Sequence, residues 1–153
     1  MRGGGIGLYI RNTLSFKIIE NLSPFANKIF ECITVQLTYP ATNKSVLLSC
    51  AYRSNGVIPG VTAAQQMEDF YGLFGDLLAN IQNLNKDSYI FIDSNINLLE
   101  LNNQEPQNYL NLLFATGFLQ SIVKATQCKM QASPLLTIFY STILITKLSL
   151  VFC

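Results

Sequence analysis

Two short stretches carry the residue types that do chemistry. In Ser88-Tyr89-Ile90-Phe91-Ile92-Asp93-Ser94-Asn95, an apolar run ends in an acid, a small polar residue and an amide. A carboxylate and an amide at one spot can hold a phosphate, a metal-bound water or a nucleophile. Residues two apart on an extended chain point the same way, so Asp93 and Asn95 are placed to face one cleft. In Ala51-Tyr52-Arg53-Ser54-Asn55-Gly56, a second apolar run ends in a phenol, a guanidinium and an amide. Tyr52 can donate a hydrogen bond to a phosphate oxygen, and Arg53 can pair with its charge. Each set also has a plainer use. Asp and Asn are common turn formers that bond their own backbone, and Tyr52 and Arg53 also suit a strand-end aromatic and a solvated arginine.

Both sets need a strand to deliver them and a loop to present them. The uncharged run before Asp93 reads as a strand buried on both faces. In α/β sheets, chemistry collects where such strands end. A helix over 62–84 precedes it, with Met67, Phe70, Tyr71, Phe74, Leu77, Leu78 and Ile81 at helical spacing. Thr62 is its cap, with Gln65 as capping-box partner. Gly72 and Gly75 each weaken it by roughly 1 kcal/mol relative to Ala and are read as allowing close approach to the sheet. Upstream, 29–37 and 45–52 form an antiparallel pair. On the first of these, Ile29, Ile33, Val35 and Leu37 share one face, and Glu31 is the acid among them.

The remaining pattern is shorter. Strands are expected at 6–10 and 14–19 around the turn Arg11-Asn12-Thr13. A helix at 106–115 is stopped by Gly117 and followed by a strand at 118–123 and a polar loop at 127–133. The end, 134–153, is almost wholly apolar, with Lys147 its only charge. Its β-branched residues and scattered Ser and Thr favour two buried strands, 136–140 and 143–152, over a membrane span. The opening Gly3-Gly4-Gly5-Ile6-Gly7 lacks the Lys-Ser/Thr of a phosphate-binding loop.

Composition narrows the function classes. A chain of 153 residues suffices for one domain with a real core. Only 12% of it is charged and the net charge is +1, so no global basic field advertises nucleic acid. There is no histidine, which excludes His-based acid/base catalysis, Ser-His triads and His-ligated metals within this chain. Cys32, Cys50, Cys128 and Cys153 form no C-x-x-C pair, which argues against zinc. With no secretory signal pattern, they are read as reduced thiols, mostly in the core, of an intracellular protein of nucleus or cytoplasm.

The pieces also carry a resemblance. They are Arg2-Gly3-Gly4-Gly5-Ile6-Gly7-Leu8-Tyr9-Ile10, Phe30-Glu31-Cys32-Ile33, Ala51-Tyr52-Arg53-Ser54, the stretch Ile90 to Leu99, Asn108-Tyr109-Leu110-Asn111-Leu112-Leu113 with Gly117-Phe118, and Ile138-Phe139-Tyr140-Ser141. Their order resembles the endonuclease/exonuclease/phosphatase superfamily, specifically the endonuclease domain of LINE-type (non-LTR) retrotransposons, over nearly the whole chain. The resemblance implies an α/β sandwich in a single partial domain: two packed, mixed or antiparallel β-sheets flanked by helices. It implies hydrolysis of DNA phosphodiesters with Mg²⁺ and a water. Asp93 and Asn95 match the family's Gly-Asp-x-Asn motif, with Ile92 standing where its glycine is expected. On that match Asp93 orients or deprotonates the attacking water, and Asn95 holds phosphate or metal. Tyr52 matches a tyrosine near the scissile phosphate. Arg53 and Asn55 lie where members approach the DNA backbone.

The departures shape the functional expectation. The family places an Asn strand and a metal-binding Glu strand ahead of the glycine run, and a Ser-Asp-His segment where this sequence ends. Leu135-Leu136-Thr137-Ile138-Phe139 occupies an Asp-His-Ile-Phe-like stretch without its acid. Mg²⁺ wants hard oxygen ligands, usually including one or two carboxylates. Asp93 alone is a weak anchor, so no metal ligand set is assigned and tight Mg²⁺ binding is not expected. The expectation is a retrotransposon-derived domain with activity lost or greatly reduced, DNA affinity weak or absent, and no membrane or defined protein partner. The alternatives are an active metal-dependent endonuclease completed by the missing segments, and a non-enzymatic interaction or membrane-associated protein using the apolar tail.

Overall fold

The computed structural model describes residues 6–121 and the backbone of residues 136–141. Strands β1 (Ser15–Ile18) and β2 (Phe25–Ala26) lead into a long hairpin of β3 (Phe30–Tyr39) and β4 (Lys44–Arg53). Helix α1 (Ala63–Asn83) follows, then β5 (Ser88–Asp93), α2 (Gln104–Ala115), β6 (Leu119–Gln120) and β7 (Leu136–Ser141). The expected antiparallel pair is the centre of the ladder, running from Phe30 opposite Arg53 to Tyr39 opposite Lys44. Asn43 turns the hairpin at φ 55, a left-handed conformation that Asn tolerates better than most residues.

β5 joins β4 in parallel, and parallel neighbours need a long crossover, here supplied by α1. β7 pairs antiparallel on the other side of β5. The described strands form one seven-stranded sheet in the order β1-β3-β4-β5-β7-β6, with β2 also on β3. The layered α/β arrangement is therefore as expected, while the described strands lie in one sheet rather than two. The strand expected at 6–10 is absent. Ile6, Leu8 and Ile10 alternate half-buried with exposed Gly7 and Tyr9, but make no ladder.

Helix α1 forms where its apolar spacing placed it. Thr62 accepts from the Gln65 N–H at 3.1 Å, but the Gln65 amide goes to Asp69 at 3.1 Å, so the capping box is half made. Gly72 faces open space, and a Cβ on Gly75 would meet Leu112 of α2 at 3.4 Å. The close approach that Gly75 permits is to α2, not to the sheet. Gly117, at φ 73, reverses the chain after α2.

Strand alternation sorts the sheet into two faces. Toward the helices point Phe30 and Cys32 of β3, Leu47 and Ala51 of β4, and Ile90 and Ile92 of β5, packed with Phe70, Phe74 and Leu78 of α1 and Tyr109 and Leu113 of α2. Phe70 and Phe74 stack at 5.4 Å, Phe74 stacks on Tyr109 at 5.9 Å, and Phe30 meets both phenylalanines edge-on. The opposite face carries a smaller cluster, Val35, Leu37 and Leu48, with Leu8, Ile10, Val46, Tyr89 and Phe91 half-buried against it. Val35 and Leu37 share a face as expected, but Ile29 packs on the helix side instead. Among the described residues no helix is long and apolar enough to cross a membrane. The loop at 127–133 and the strand expected at 143–152 lie outside the described residues.

The two faces differ in what they contribute to stability. Phe74→Ala is expected to destabilise the fold by about 3–5 kcal/mol. Phe16→Ala, on the exposed edge strand β1, is expected to change it by no more than about 0.5 kcal/mol. Urea denaturation of both variants checks the contrast.

Candidate functional site

The ends of β4 and β5 lie side by side at one edge of the sheet, because the parallel register sets Tyr52 opposite Asp93. Ala51 and Ile92, their neighbours in sequence, are in the helix-side core, so Tyr52 and Asp93 project to the other face. On β3, Glu31 stands opposite Tyr52. Glu31, Tyr52 and Asp93 thus form a half-buried row across three adjacent strands. Directly opposed side chains in such a row have Cβ atoms about 5 Å apart. The sequence reading paired Tyr52 with Asp93 only through the resemblance. For Glu31 the signals were an acid on an apolar parity and its place in Phe30-Glu31-Cys32-Ile33, one of the pieces that carry the resemblance.

Beyond Asp93 the chain stops being extended. Asn95 adopts φ 51, and its N–H donates to Asp93 Oδ1 at 3.2 Å. The Asn95 amide nitrogen donates to the Arg53 carbonyl at 2.6 Å. This corrects the expectation of two side chains standing in line on an extended strand. The left-handed turn sends the amide back to β4, and the turn-forming use of Asp93 and Asn95 is the one the hydrogen bonds make.

Arg53 completes the tie from its own side. Its Nε donates to the Ser94 carbonyl and one Nη to the Asn95 carbonyl at 2.8 Å. That Nη also meets Glu105 of α2 at 3.4 Å, an ion pair with side-chain exposures of 13% for Arg53 and 45% for Glu105. The other Nη donates to the Met67 sulfur at 3.7 Å, and the guanidinium lies 5.6 Å from the centre of the Phe70 ring. Burial lowers its proton affinity below the usual arginine value, and Glu105 is the strongest opposing influence. Arg53 belongs to the helix-side parity with Ala51 and is turned inward, with its donors spent on the chain itself. Asn55 is exposed in the loop that follows.

The other candidate groups do not add to this edge. Cys32 and Cys50 are buried free thiols on adjacent strands and opposite faces. Burial pushes Cys32 up to about 12 and Cys50 up to about 11, so neither supplies a thiolate near neutral pH. Cys128 and Cys153 lie outside the described residues. The donor set also fits poorly to Mg²⁺. Asp93 already accepts from Asn95 and Glu105 is engaged by Arg53, which leaves Glu31 as the unengaged carboxylate of the row, and no three His, Cys, Asp or Glu among the described residues group closely enough to hold a metal. These residues do not make a tight site for a hard cation.

No protein-family model matches the sequence, and no curated protein matches it. Among solved structures, the human Nocturnin catalytic domain with bound sulfate anion is similar, with a TM-score of 0.50 and 14% sequence identity. The match covers 82% of this chain and 48% of that one, so this chain spans about half the length of the structure it matches. The likeness is one of fold: a mixed α/β arrangement of a strand sheet with helices packed on it.

The tie between the strand ends makes two predictions. Asn95→Gly and Asn95→Ala both lose the bond to the Arg53 carbonyl, but only alanine keeps a Cβ in the left-handed conformation. Asn95→Ala is expected to be less stable than Asn95→Gly by about 1 kcal/mol in denaturant titrations. Arg53→Lys retains the charge and loses the forked donor geometry, and is expected to cost about 1–3 kcal/mol by the same measurement.

Proposed function

We propose that this chain is a retrotransposon-derived, endonuclease/exonuclease/phosphatase-like domain whose phosphodiester-hydrolysing activity is lost or greatly reduced. The retroelement part of this reading rests on the order of sequence pieces from the glycine run to Ile138-Phe139-Tyr140-Ser141. The loss of activity rests on one observation above the rest. The acid and amide of the strand-end motif hold their own loop, and among the described residues no three His, Cys, Asp or Glu come together there with the grouping a metal needs.

What remains is a set of single hydrogen-bonding groups rather than a catalytic constellation. The Tyr52 hydroxyl can donate to a phosphate oxygen, the second oxygen of Asp93 can accept from a water, and Asn95 Oδ1 can accept from a donor on the substrate. Metal-dependent chemistry, where a Mg²⁺ ion is bound, supplies charge neutralisation and an activated water. Among the described residues no three His, Cys, Asp or Glu group closely enough to hold that ion, and the sequence has no imidazole to share the proton. Loss of a single transition-state donor costs about 10²–10³ in rate, and such losses overlap where groups act as a unit.

The test is nicking of supercoiled plasmid by the purified full chain, with Mg²⁺ or with chelator, beside the Asp93→Ala, Asn95→Ala double variant. The expected result is no Mg²⁺-dependent nicking above that of the double variant, from protein shown folded by circular dichroism. Mg²⁺-dependent nicking that the double variant lacks would establish an active endonuclease and overturn the reading.

A further inference from the structure

Charge at this edge of the sheet is unevenly laid out. Glu31 and Asp93 flank Tyr52 in the ladder and project to the same face. Arg53, the cation next to Tyr52 in sequence, is turned to the helix side and matched by Glu105. Lys28 is exposed in the turn that precedes β3, at φ 61. Lys44 and Lys86 lie where β4 and β5 begin, at the opposite end of the sheet, and Lys86 donates to Gln36 at 2.7 Å. Around Tyr52, then, the described side chains set two carboxylates against one exposed ammonium.

Of the two acids, Asp93 has a structural task, since it accepts from the Asn95 N–H. Glu31 has no ion pair or side-chain hydrogen bond among the described residues, although it sits half-buried on the parity of Ile33, Val35 and Leu37. A carboxylate there adds nothing to the apolar cluster, and desolvating it costs free energy. Its field is its main effect. Like charges placed against a partner's own charge are the usual means of excluding that partner.

We propose that Glu31 is a specificity-determining residue of this edge: with Asp93 across Tyr52, it turns nucleic-acid phosphate away. The proposal rests on the reading that a phosphodiester would lie at the ends of β4 and β5. It makes low affinity for nucleic acid a property of one side chain at the edge rather than of the chain's near-neutral net charge.

The test is gain of binding. Fluorescence anisotropy of a labelled DNA duplex and of a labelled single strand is measured with the full wild-type chain, Glu31→Gln, Glu31→Lys and Asp76→Lys. Asp76 is exposed on α1, in the helix layer, so its substitution makes the same change of net charge away from the edge. At an ionic strength of about 0.1 M the screening length is about 10 Å, so a remote swap acts weakly. Glu31→Gln is expected to tighten binding, and Glu31→Lys by about tenfold or more. Glu31→Lys is also expected to steepen the fall of log affinity with log salt by about 0.9, one added phosphate contact. Asp76→Lys is expected to tighten binding less than about threefold. Equal gains from Asp76→Lys and Glu31→Lys, or no gain from either Glu31 variant in protein folded by circular dichroism, would overturn the proposal. Nicking by the wild-type chain would overturn the loss of activity instead, so the two readings fail on different measurements.

Discussion

The hydrogen-bonded exchange between Arg53 and the segment Ser94-Asn95 is the constraint on which this edge of the molecule depends. A guanidinium taken out of water is costly unless its donors find acceptors. Here they find the Ser94 and Asn95 carbonyls, the Met67 sulfur and Glu105, and the ring of Phe70 lies beneath. The Asn95 amide closes the loop by donating to the Arg53 carbonyl. One side chain therefore couples β4, the turn after β5, α1 and α2. The turn cannot rearrange without unpairing a buried charge, and the orientation of the Asp93 carboxylate follows from the turn.

That coupling explains which parts were legible in the sequence. The β3–β4 hairpin, α1 and β5 were readable because their signals are local: apolar runs, a capping Thr62 and helical spacing from Phe70 to Ile81. The run 6–10 was misread because alternation records which side is covered and says nothing about a ladder partner. Gln65 was misassigned because Asp69, one turn further on, competes for the same amide. The direction of Arg53 was hidden for a different reason. Both faces of β3 are apolar enough to be core, so pattern alone did not show which one meets the helices. Its ion-pair partner, Glu105, is fifty-two residues away in the chain. The left-handed turn at Asn95 also had no unambiguous marker, since Asp-x-Asn serves strand ends and loop caps alike.

The same ambiguity bears on function. An acid and an amide in sequence at a strand end are equally good evidence for a reactive pair and for a turn, and the hydrogen bonds here make the turn. Structural use does not disqualify a catalytic carboxylate, because Asp93 keeps a second oxygen. In the reading proposed above, what counts against catalysis is what surrounds it. Catalysis requires groups that hold the transition state more tightly than the ground state, and the charge developing on a phosphoryl group in flight calls for cations or strong donors aimed at it. The nearest such group in the sequence, Arg53, is committed to the loop's own carbonyls.

The electrostatics of the edge bear on the same proposal from the substrate side. A phosphodiester already carries one negative charge in the ground state. Bringing it to Tyr52 places it between Glu31 and Asp93, in a row where neighbouring Cβ atoms stand about 5 Å apart. Without a cation between them, the interaction worsens as charge accumulates on the equatorial oxygens, so the field opposes the transition state more than the bound substrate. The arrangement that stabilises the fold, a buried arginine with its acceptors found inside, thus leaves the outer face to its carboxylates. In the proposed reading, weak affinity and weak catalysis would share one cause, the side of the sheet on which the Arg53 charge is spent.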